Sequence, residues 1–488
     1  MNKAALSDSK ALGLHSRYNP SGEAERYLEA IKLPEGLDFF ILIEPGLGYL
    51  IPLLKKRHPG AVIVALHADP AFRTPSSETV RLGIPAWWPD SGLSVQQFLE
   101  EEIPDTEASS IRIIEWRPSL RVYGEDYLSI FSETVDFIKR SDANVRTGRN
   151  FGRRWLKNFF KNISLIRTAL LFRPAALPVV ITGSGPGLED SFPLILEMRE
   201  KAFILSSSSS LSALEARGLR PDLVISTDGG AWAPLHLFAC VRDPAGGAAA
   251  GPHLLAINPC AAIPSQCAAF PLLVLNDGSL WQSLILRELG IPSLVIPQRG
   301  TVTASAVELA LNLSAGNIYL AGMDLSVRDI RSHARPYGFD HLLYEKASRL
   351  NPVYSQAYTR SNNIRGGKSY EVYAAWFKSR IETLPNRIFP LGGNHPVFGN
   401  PKAEAALRRD APAPVSRTEF QFREFPLKPG RAAIDLALGA LDRAFEDPRF
   451  SGILRKELSP LLGGTDTANS VREDIRNLAA ACGGNRRG

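Results

Sequence analysis

Chemically useful side chains follow apolar, β-branched runs at several places in this 488-residue sequence. The glycines of TGSGPG come after Pro-Val-Val-Ile, Asp228 ends the run DLVIST, and Asp324 follows NIYLAG, with His333 nine residues later. Loops that follow the strands of a parallel sheet converge on one crevice, where ligands bind. Glycines admit a phosphate to the backbone, carboxylates bond hydroxyls or hydrated magnesium, and an imidazole moves protons near neutral pH. The pattern predicts the site of a nucleotide-using enzyme.

The segment GSGPG, residues 183–187, is the predicted phosphate-binding loop. Its glycines would let backbone amides approach a phosphate without a Cβ in the way, and a helix from about Asp190 would add its amino-terminal dipole. No Lys-Ser or Lys-Thr pair follows, so the loop is not of the Walker type. A purely structural tight turn is the alternative. We predict that the nucleotide is bound by Gly183, Ser184, Gly185 and Pro186.

Other hydroxyl, amide and backbone groups are predicted to line the same crevice. Serines 206–210 follow the strand-like AFIL, two glycines follow Asp228, and threonines open the helical segment VELALNL. Each has a plainer alternative, because serine and threonine cap helices and asparagine is common in turns. The predicted nucleotide-binding residues of this group are Ser207, Asp228, Gly229, Asn276, Thr301 and Thr303.

Composition indicates an ordinary globular protein. Hydrophobic residues make up 44% and charged residues 22%, values typical of soluble domains. The net charge of +6 permits an anionic ligand, but no nucleic-acid-binding motif accompanies it, so we expect no nucleic-acid partner. The four cysteines, Cys240, Cys260, Cys267 and Cys482, lack the spacing of a zinc site. The start of the chain lacks the apolar segment of a signal peptide, which predicts a cytoplasmic protein without membrane insertion.

Periodicity predicts an α/β fold in several parts. Strand-like DFFILIEP and AVIVALHA flank a helical segment, which predicts a small α/β domain over residues 1–125. Residues 126–174 have helical spacing and predict a connector. Short apolar runs then alternate with helices through residues 175–400, as in a mainly parallel, Rossmann-like sheet. Residues 401–488 are predicted to be mostly helical.

The ordered motifs resemble a known family. TGSGPGLED, GLRPDLVISTDGG, and GTVTASAVELALNLSAGNIYLAGMDLS with a nearby His-Ala are similar to the motility-associated factor (Maf) flagellin glycosyltransferases, which are related to the 6-hydroxymethylpterin diphosphokinase-like proteins. The amino-terminal segment 39–70 and the helix NFGRRWLKNFFKNI extend the resemblance to roughly residues 35–400. Two departures are Arg331-Ser332, where Thr commonly precedes His-Ala, and Gly187, where Ser is common.

The resemblance implies a catalytic domain similar to bacterial sialyltransferases. It implies transfer of a nonulosonic acid, such as pseudaminic or legionaminic acid, from a CMP-sugar to Ser or Thr of flagellin, as needed for flagellum assembly and motility. No tightly bound cofactor is expected, although magnesium at Asp228 is possible. One alternative is pyrophosphoryl transfer from ATP to a pterin, which requires magnesium. Another is a flagellin-binding module without catalytic activity.

The same resemblance assigns the catalytic roles. The acceptor hydroxyl must lose a proton as it attacks the anomeric carbon, and a histidine with a pKa near 6.5 suits a general base. We therefore predict that His333 is the base and that Asp324 is the fallback. Arg328, Arg331 and Arg335 surround His333 in sequence.

Overall fold

The computed structural model describes residues 13–33, 37–103, 110–238, 254–365, 369–391, 402–411, 414, 422–464 and 467–482. The chain divides into two compact units, Met1–Gly148 and Arg149–Gly488. Their boundary lies within one long helix, so the four predicted parts do not coincide with the two units.

The amino-terminal unit contains a parallel sheet in the order β3-β2-β1-β4. Its elements are α1 Pro20–Ala30, β1 Phe39–Ile43, α2 Leu50–Arg57, β2 Val62–Leu66, α3 Glu78–Arg81, β3 Ala86–Trp87, α4 Val95–Glu102 and β4 Ile111–Glu115. Strand β1 is entirely buried because helices cover both faces of the sheet. The predicted βαβ unit at the start of the chain is therefore present.

The turn after β1 uses glycine for its backbone conformation. Gly46 and Gly48 have φ angles of 60° and 79°, which side chains disfavour. Beyond β2, Asp69 accepts hydrogen bonds from Ala71 N and Tyr123 Oη. The two glycines and Asp69 therefore have structural roles in this unit.

The predicted helical connector is real but ends earlier than the sequence indicates. Helix α5 spans Arg117–Ile163 and is broken at Gly124, where φ is 46° and ψ is −112°. The next apolar run forms strand β5, Thr168–Phe172, which pairs with other strands of the second unit. Helical spacing alone did not reveal this strand, because a run of five residues fits either structure.

The second unit is built on a larger, mainly parallel sheet, as predicted. Its strands are β5, β6 Val179–Thr182, β7 Phe203–Ser207, β8 Leu223–Ser226, β9 Leu255–Ile257, β10 Leu272–Asn276, β11 Ser293–Val295, β12 Ile318–Ala321, β13 Ile388–Pro390 and β14 Phe422–Pro426. Its helices are α6 Leu188–Met198, α7 Leu211–Glu215, α8 Leu280–Glu288, α9 Val302–Leu313, α10 Asp340–Glu345, α11 Val353–Arg365, α12 Ser369–Thr383, α13 Ala403–Asp410, α14 Arg431–Glu446, α15 Pro448–Leu461 and α16 Ala468–Cys482.

The strand order is β13-β12-β6-β7-β8-β9-β10-β5-β14, with β11 beside β10 and β14 antiparallel to β5. From β6 the chain adds β7, β8, β9 and β10 on one side, then returns to place β12 on the other. The sheet therefore reverses its direction of growth between β6 and β12. Such a switch point opens a crevice at the carboxyl ends of the strands.

Successive strand residues alternate between two cores. In β8, Val224 packs into one core, and Leu223 and Ile225 pack into the other. The first core also receives α8 and the carboxyl-terminal helices α14–α16. The helical character predicted for the carboxyl-terminal region is confirmed, but its helices belong to the core of the second unit and are not a separate tail.

Replacing Gly152 by alanine tests the packing of α5 on α15. A Cβ at Gly152 would lie 2.3 Å from Leu461 Cα and 2.6 Å from Leu461 O, so the helices must move apart. We expect the free energy of unfolding to fall by about 1–3 kcal/mol. Gly452→Ala is the matched control, because its Cβ would enter open space within a helix and should stabilise by about 0.4–1 kcal/mol. Denaturant unfolding that ranks the two variants in the opposite order would contradict this packing.

Candidate functional site

A cavity of about 260 Å³ lies at the switch point of the larger sheet. It is formed by loops that follow β6, β7, β8 and β12 and by the start of α9. The predicted residues that line it are Ser184, Gly185, Asp228, Thr301, Thr303, Asp324 and His333. The structure thus brings together most of the residues that the motifs single out.

The glycine loop does not present the open row of amides that its sequence suggests. Gly183 N donates to Ala321 O at 2.8 Å and Gly185 N donates to Gly322 O at 2.8 Å. Gly187 N donates to both Asp324 carboxylate oxygens, at 2.9 and 2.8 Å. Asp324 therefore takes the place expected for a phosphate at the start of α6, where the helix dipole favours an anion.

Close packing explains why this loop needs glycine. A Cβ at Gly185 would lie 2.0 Å from Asp324 Oδ2, and one at Gly183 would lie 2.6 Å from Gly322 O. Gly183 is buried and does not line the cavity, and neither does Pro186, which is also buried. Of the four residues of this loop that were predicted to bind the nucleotide, only Ser184 and Gly185 line the cavity.

The serine run contributes other members than the predicted one. Ser207 is fully buried, and its Oγ bonds Ser209 Oγ at 3.1 Å and Ser210 Oγ at 3.2 Å. The chain turns into a 3-10 helix over Ser208–Ser210, which directs Ser208 and Ser209 to the cavity instead. Ser209 Oγ also donates to Ser184 Oγ at 3.0 Å, joining this turn to the glycine loop.

Two further predicted residues lie outside the cavity lining. Asn276 forms a local turn: its Nδ2 donates to Ser283 Oγ at 2.8 Å and its Oδ1 accepts from Gly278 N at 2.9 Å. Gly229 lies against Trp155, whose Cδ1 would be 2.2 Å from a Cβ at this position. The plainer alternative, a structural role, describes both geometries.

The side chains of Thr301 and Asp228 each accept a local hydrogen bond, and both residues line the cavity. Thr301 caps α9, because its Oγ1 accepts from Ala304 N at 3.0 Å. Asp228 is exposed, and its Oδ1 accepts from Gly230 N at 2.7 Å. Within the described ranges, no group of three or more His, Cys, Asp or Glu residues could hold a metal ion. A magnesium ion at Asp228 would therefore rely on one carboxylate and on ligand phosphates, a common arrangement for this ion.

His333 lies on a loop that is tied to the glycine loop. Ala334 N donates to Ser184 O at 2.8 Å, and the imidazole stacks on Tyr337 with ring centroids 3.9 Å apart. Its Nδ1 is 2.8 Å from Ser332 Oγ. Burial, the charge of Arg360 and the nearby His236 lower the pKa of His333 to about 3. The expected pKa near 6.5 is thus wrong for the free protein, and His333 is neutral at physiological pH.

The sequence motifs missed a second histidine beside the cavity. His236 is 5% exposed and stacks on Phe339 with centroids 4.4 Å apart. Burial, together with the charge of Arg360, lowers its pKa to about 4. The aromatic residues of RPYGFDH, immediately after His333, were the available signal, but only the fold shows that they pack between two histidines.

A wider cleft of about 900 Å³ adjoins the cavity. The two share Phe339, Tyr370 and Tyr373 in their linings. Helices α10–α12, which lie between β12 and β13, supply most of the wider cleft. The site therefore has a narrow compartment rich in hydroxyl groups and a broad one rich in aromatic rings and amides.

Comparison with known proteins identifies the domain that carries the narrow compartment. Residues 153–329 match the family described as 6-hydroxymethylpterin diphosphokinase MptE-like. These residues form an MptE-like domain. The family resemblance inferred from the ordered motifs is thereby confirmed for this part of the chain. The match contains the glycine loop, Asp228 and Asp324 and ends before His333.

Two individual proteins are similar to the chain. An uncharacterized protein of Treponema pallidum (strain Nichols) is 26% identical over 410 aligned residues, and the match covers 79% of this chain and 88% of that protein. The structure of the Maf glycosyltransferase from Magnetospirillum magneticum AMB-1 is 15% identical, with a TM-score of 0.42 over 94% of this chain and 76% of that one.

The cysteines within the described residues are free thiols. Within the MptE-like domain, Cys260 and Cys267 are buried free thiols, and burial raises the pKa of both. Cys482 is a half-buried free thiol. Cys240 lies outside the described residues. Across the parts of the chain that the structure describes, no helix is both long and apolar enough to cross a membrane.

His236 should make the stability of the MptE-like domain depend on pH. Its folded-state pKa of about 4 is below the unfolded value of 6.5, so the unfolded chain binds more protons between these pH values. The stabilisation is full above 6.5 and is lost as pH falls toward 4. We expect the Tm of wild type to drop more between pH 7.5 and pH 5 than the Tm of His236→Gln. Parallel Tm curves for the two proteins would exclude this contribution.

Proposed function

We propose that this protein is a glycosyltransferase that moves a nonulosonic acid, of the pseudaminic or legionaminic type, from a CMP-sugar to Ser or Thr of flagellin. The observation that carries the proposal is the two-compartment site at the switch point of an MptE-like domain. A donor nucleotide suits the narrow compartment. A polypeptide acceptor suits the broad one. We place the reaction in the cytoplasm.

Donor binding would rely on side chains more than on glycine amides. The hydroxyls of Ser184, Ser208, Ser209, Thr301 and Thr303 border the narrow compartment and can bond ribose or phosphate. The start of α9 lies there too, and its dipole favours negative charge. Charge that develops on the departing CMP phosphate would be stabilised by these fixed dipoles.

His333 would accept the proton of the acceptor. The hydroxyl oxygen of the acceptor forms a bond to the anomeric carbon, the bond from that carbon to the CMP phosphate oxygen breaks, and the proton passes to the imidazole. Since Nδ1 of His333 faces Ser332 Oγ, Nε2 is the nitrogen left for the acceptor. Stacking on Tyr337 fixes the plane of the ring.

Nucleotide binding tests the donor class. We expect calorimetric titration to show tighter binding of CMP than of ATP. One rival is pyrophosphoryl transfer from ATP to a pterin. It is supported by the matched family, which is described as 6-hydroxymethylpterin diphosphokinase MptE-like. Tighter binding of ATP that requires magnesium would favour that rival and contradict the glycosyltransferase proposal.

The intact mass of flagellin tests the reaction. Flagellin from cells that contain this protein should carry added masses equal to whole nonulosonate residues, and flagellin from cells that lack it should not. The cells that lack the protein should also lose motility. A flagellin that binds the protein but has the same mass in both cells would instead indicate a binding module without catalytic activity.

A further inference from the structure

The segment between β12 and β13 brings one arginine to the junction of the two compartments. Arg360 lies on α11 and lines the broad cleft. Its guanidinium carbon is 5.7 Å from the centroid of Tyr337 and 5.9 Å from that of Phe339. These two rings line the narrow cavity. The cation therefore stands where a molecule extending from one compartment into the other would pass.

The neighbours of Arg360 do not neutralise its charge. His333 stacks on Tyr337 and His236 stacks on Phe339, and both histidines are uncharged at neutral pH. No carboxylate forms an ion pair with Arg360 within the residues that the structure describes. Of the two carboxylates that line the cavity, Asp324 faces Gly187 N, and Asp228 accepts from Gly230 N. An aromatic–histidine cluster thus surrounds a half-buried cation that has no anionic partner.

This arrangement favours an anionic ligand group. A half-buried charge that lacks a counter-ion is costly, and a bound anion offsets that cost. The planar guanidinium fits a carboxylate through two parallel hydrogen bonds. Under the proposed function, the donor has two anionic groups: its phosphate, beside the hydroxyls of the narrow compartment, and the carboxylate of its sugar, farther along toward the acceptor.

We propose that Arg360 binds the carboxylate of the donor sugar and thereby selects acidic sugars. The inference rests on the proposed function, because it assumes a CMP-nonulosonate donor. Arg360 lies beyond the matched residues 153–329, so this selection would belong to helices α10–α12, between β12 and β13, and not to the MptE-like domain. A neutral sugar at the same place would leave the guanidinium, which already has a hydrogen bond with Tyr337, without an anionic partner.

Titration with CMP and with CMP-N-acetylneuraminic acid tests the assignment. Wild type should bind the CMP-sugar more tightly than CMP. Arg360→Gln should weaken binding of the CMP-sugar by about 10- to 100-fold, the size of a charge-assisted hydrogen bond, and change CMP binding by less than about 2-fold. Arg360→Lys should recover only part of the loss, since lysine lacks the planar fork.

Arg349→Gln is the matched control, because Arg349 is exposed and lies outside both linings. It should bind both ligands as wild type does, and thermal unfolding should show that all variants fold. Equal weakening of CMP and CMP-sugar in Arg360→Gln would assign Arg360 to the phosphate and overturn the inference, as would unchanged binding of both. A wild-type protein that binds neither ligand would overturn the proposed function itself.

Discussion

Replacing His333 by alanine is expected to lower the rate of sugar transfer by about 10²–10⁴-fold, the usual contribution of a general base. Folding and CMP binding should be nearly unchanged, because His333 is half-buried on a loop that backbone bonds such as Ala334 N to Ser184 O hold in place. Single-turnover transfer from a CMP-nonulosonate to purified flagellin measures the effect.

His341→Ala is the control, since His341 is an exposed histidine on α10 outside both linings. It should transfer sugar at the wild-type rate. Wild-type transfer by His333→Ala, with an unchanged pH profile, would mean that His333 only shapes the loop.

The pH dependence of kcat and kcat/KM should reflect the pKa of His333. Because the pKa of His333 is lowered to about 3 in the free protein, kcat/KM should show no acid limb from His333 between roughly pH 5 and pH 8. An anionic donor next to Arg360 favours the imidazolium and raises the pKa, so the acid limb of kcat should lie at higher pH than that of kcat/KM. Coincident limbs in the two profiles would contradict this coupling.

Replacing Asp324 by asparagine should cost both stability and rate. One carboxylate oxygen would become an amide nitrogen, which cannot accept a hydrogen bond and would face the donor Gly187 N. We expect the free energy of unfolding to fall by about 1–3 kcal/mol, because a buried polar contact is lost. Displacement of the glycine loop should slow transfer by about 10²-fold, the size of effect that a 1 Å misplacement produces.

Asp190→Asn provides the control, because Asp190 lies in the first turn of the helix whose start Asp324 contacts. Its ion pair with Arg328 is exposed, and its loss should change stability by less than about 1 kcal/mol. Chemical denaturation and transfer assays compare the two variants. Asp324→Asn could be as stable as Asp190→Asn and still transfer sugar about 10²-fold more slowly than wild type. In that case Asp324 would act directly on the reaction and would not hold the loop.

The architecture was largely predictable because buried parallel strands have a local signature. PVVIT, AFILS, DLVIST and NIYLAG are short, apolar and bounded by turn residues, and each forms the expected strand. Once the strands are parallel, the loops after them must meet at one edge, so the convergence of the glycine loop, Asp228 and Asp324 also follows from sequence. Strands β3, β5, β13 and β14 were not predicted, because such short runs fit a helix or a loop as well as a strand.

The chemical state of the site was decided only by the tertiary structure. Which serine of 206–210 faces the cavity depends on where β7 turns into a 3-10 helix, and one residue of difference reverses the side. Asp324 accepts a hydrogen bond from Gly187 N of the glycine loop, and this contact joins residues that are 137 positions apart in the sequence. The sequence by itself determined most of the buried parallel strands, the order of the motifs along the chain and the loops that meet at one edge of the sheet. The protonation of His333 and the position of Arg360 came from burial and distance, which exist only once the chain has folded.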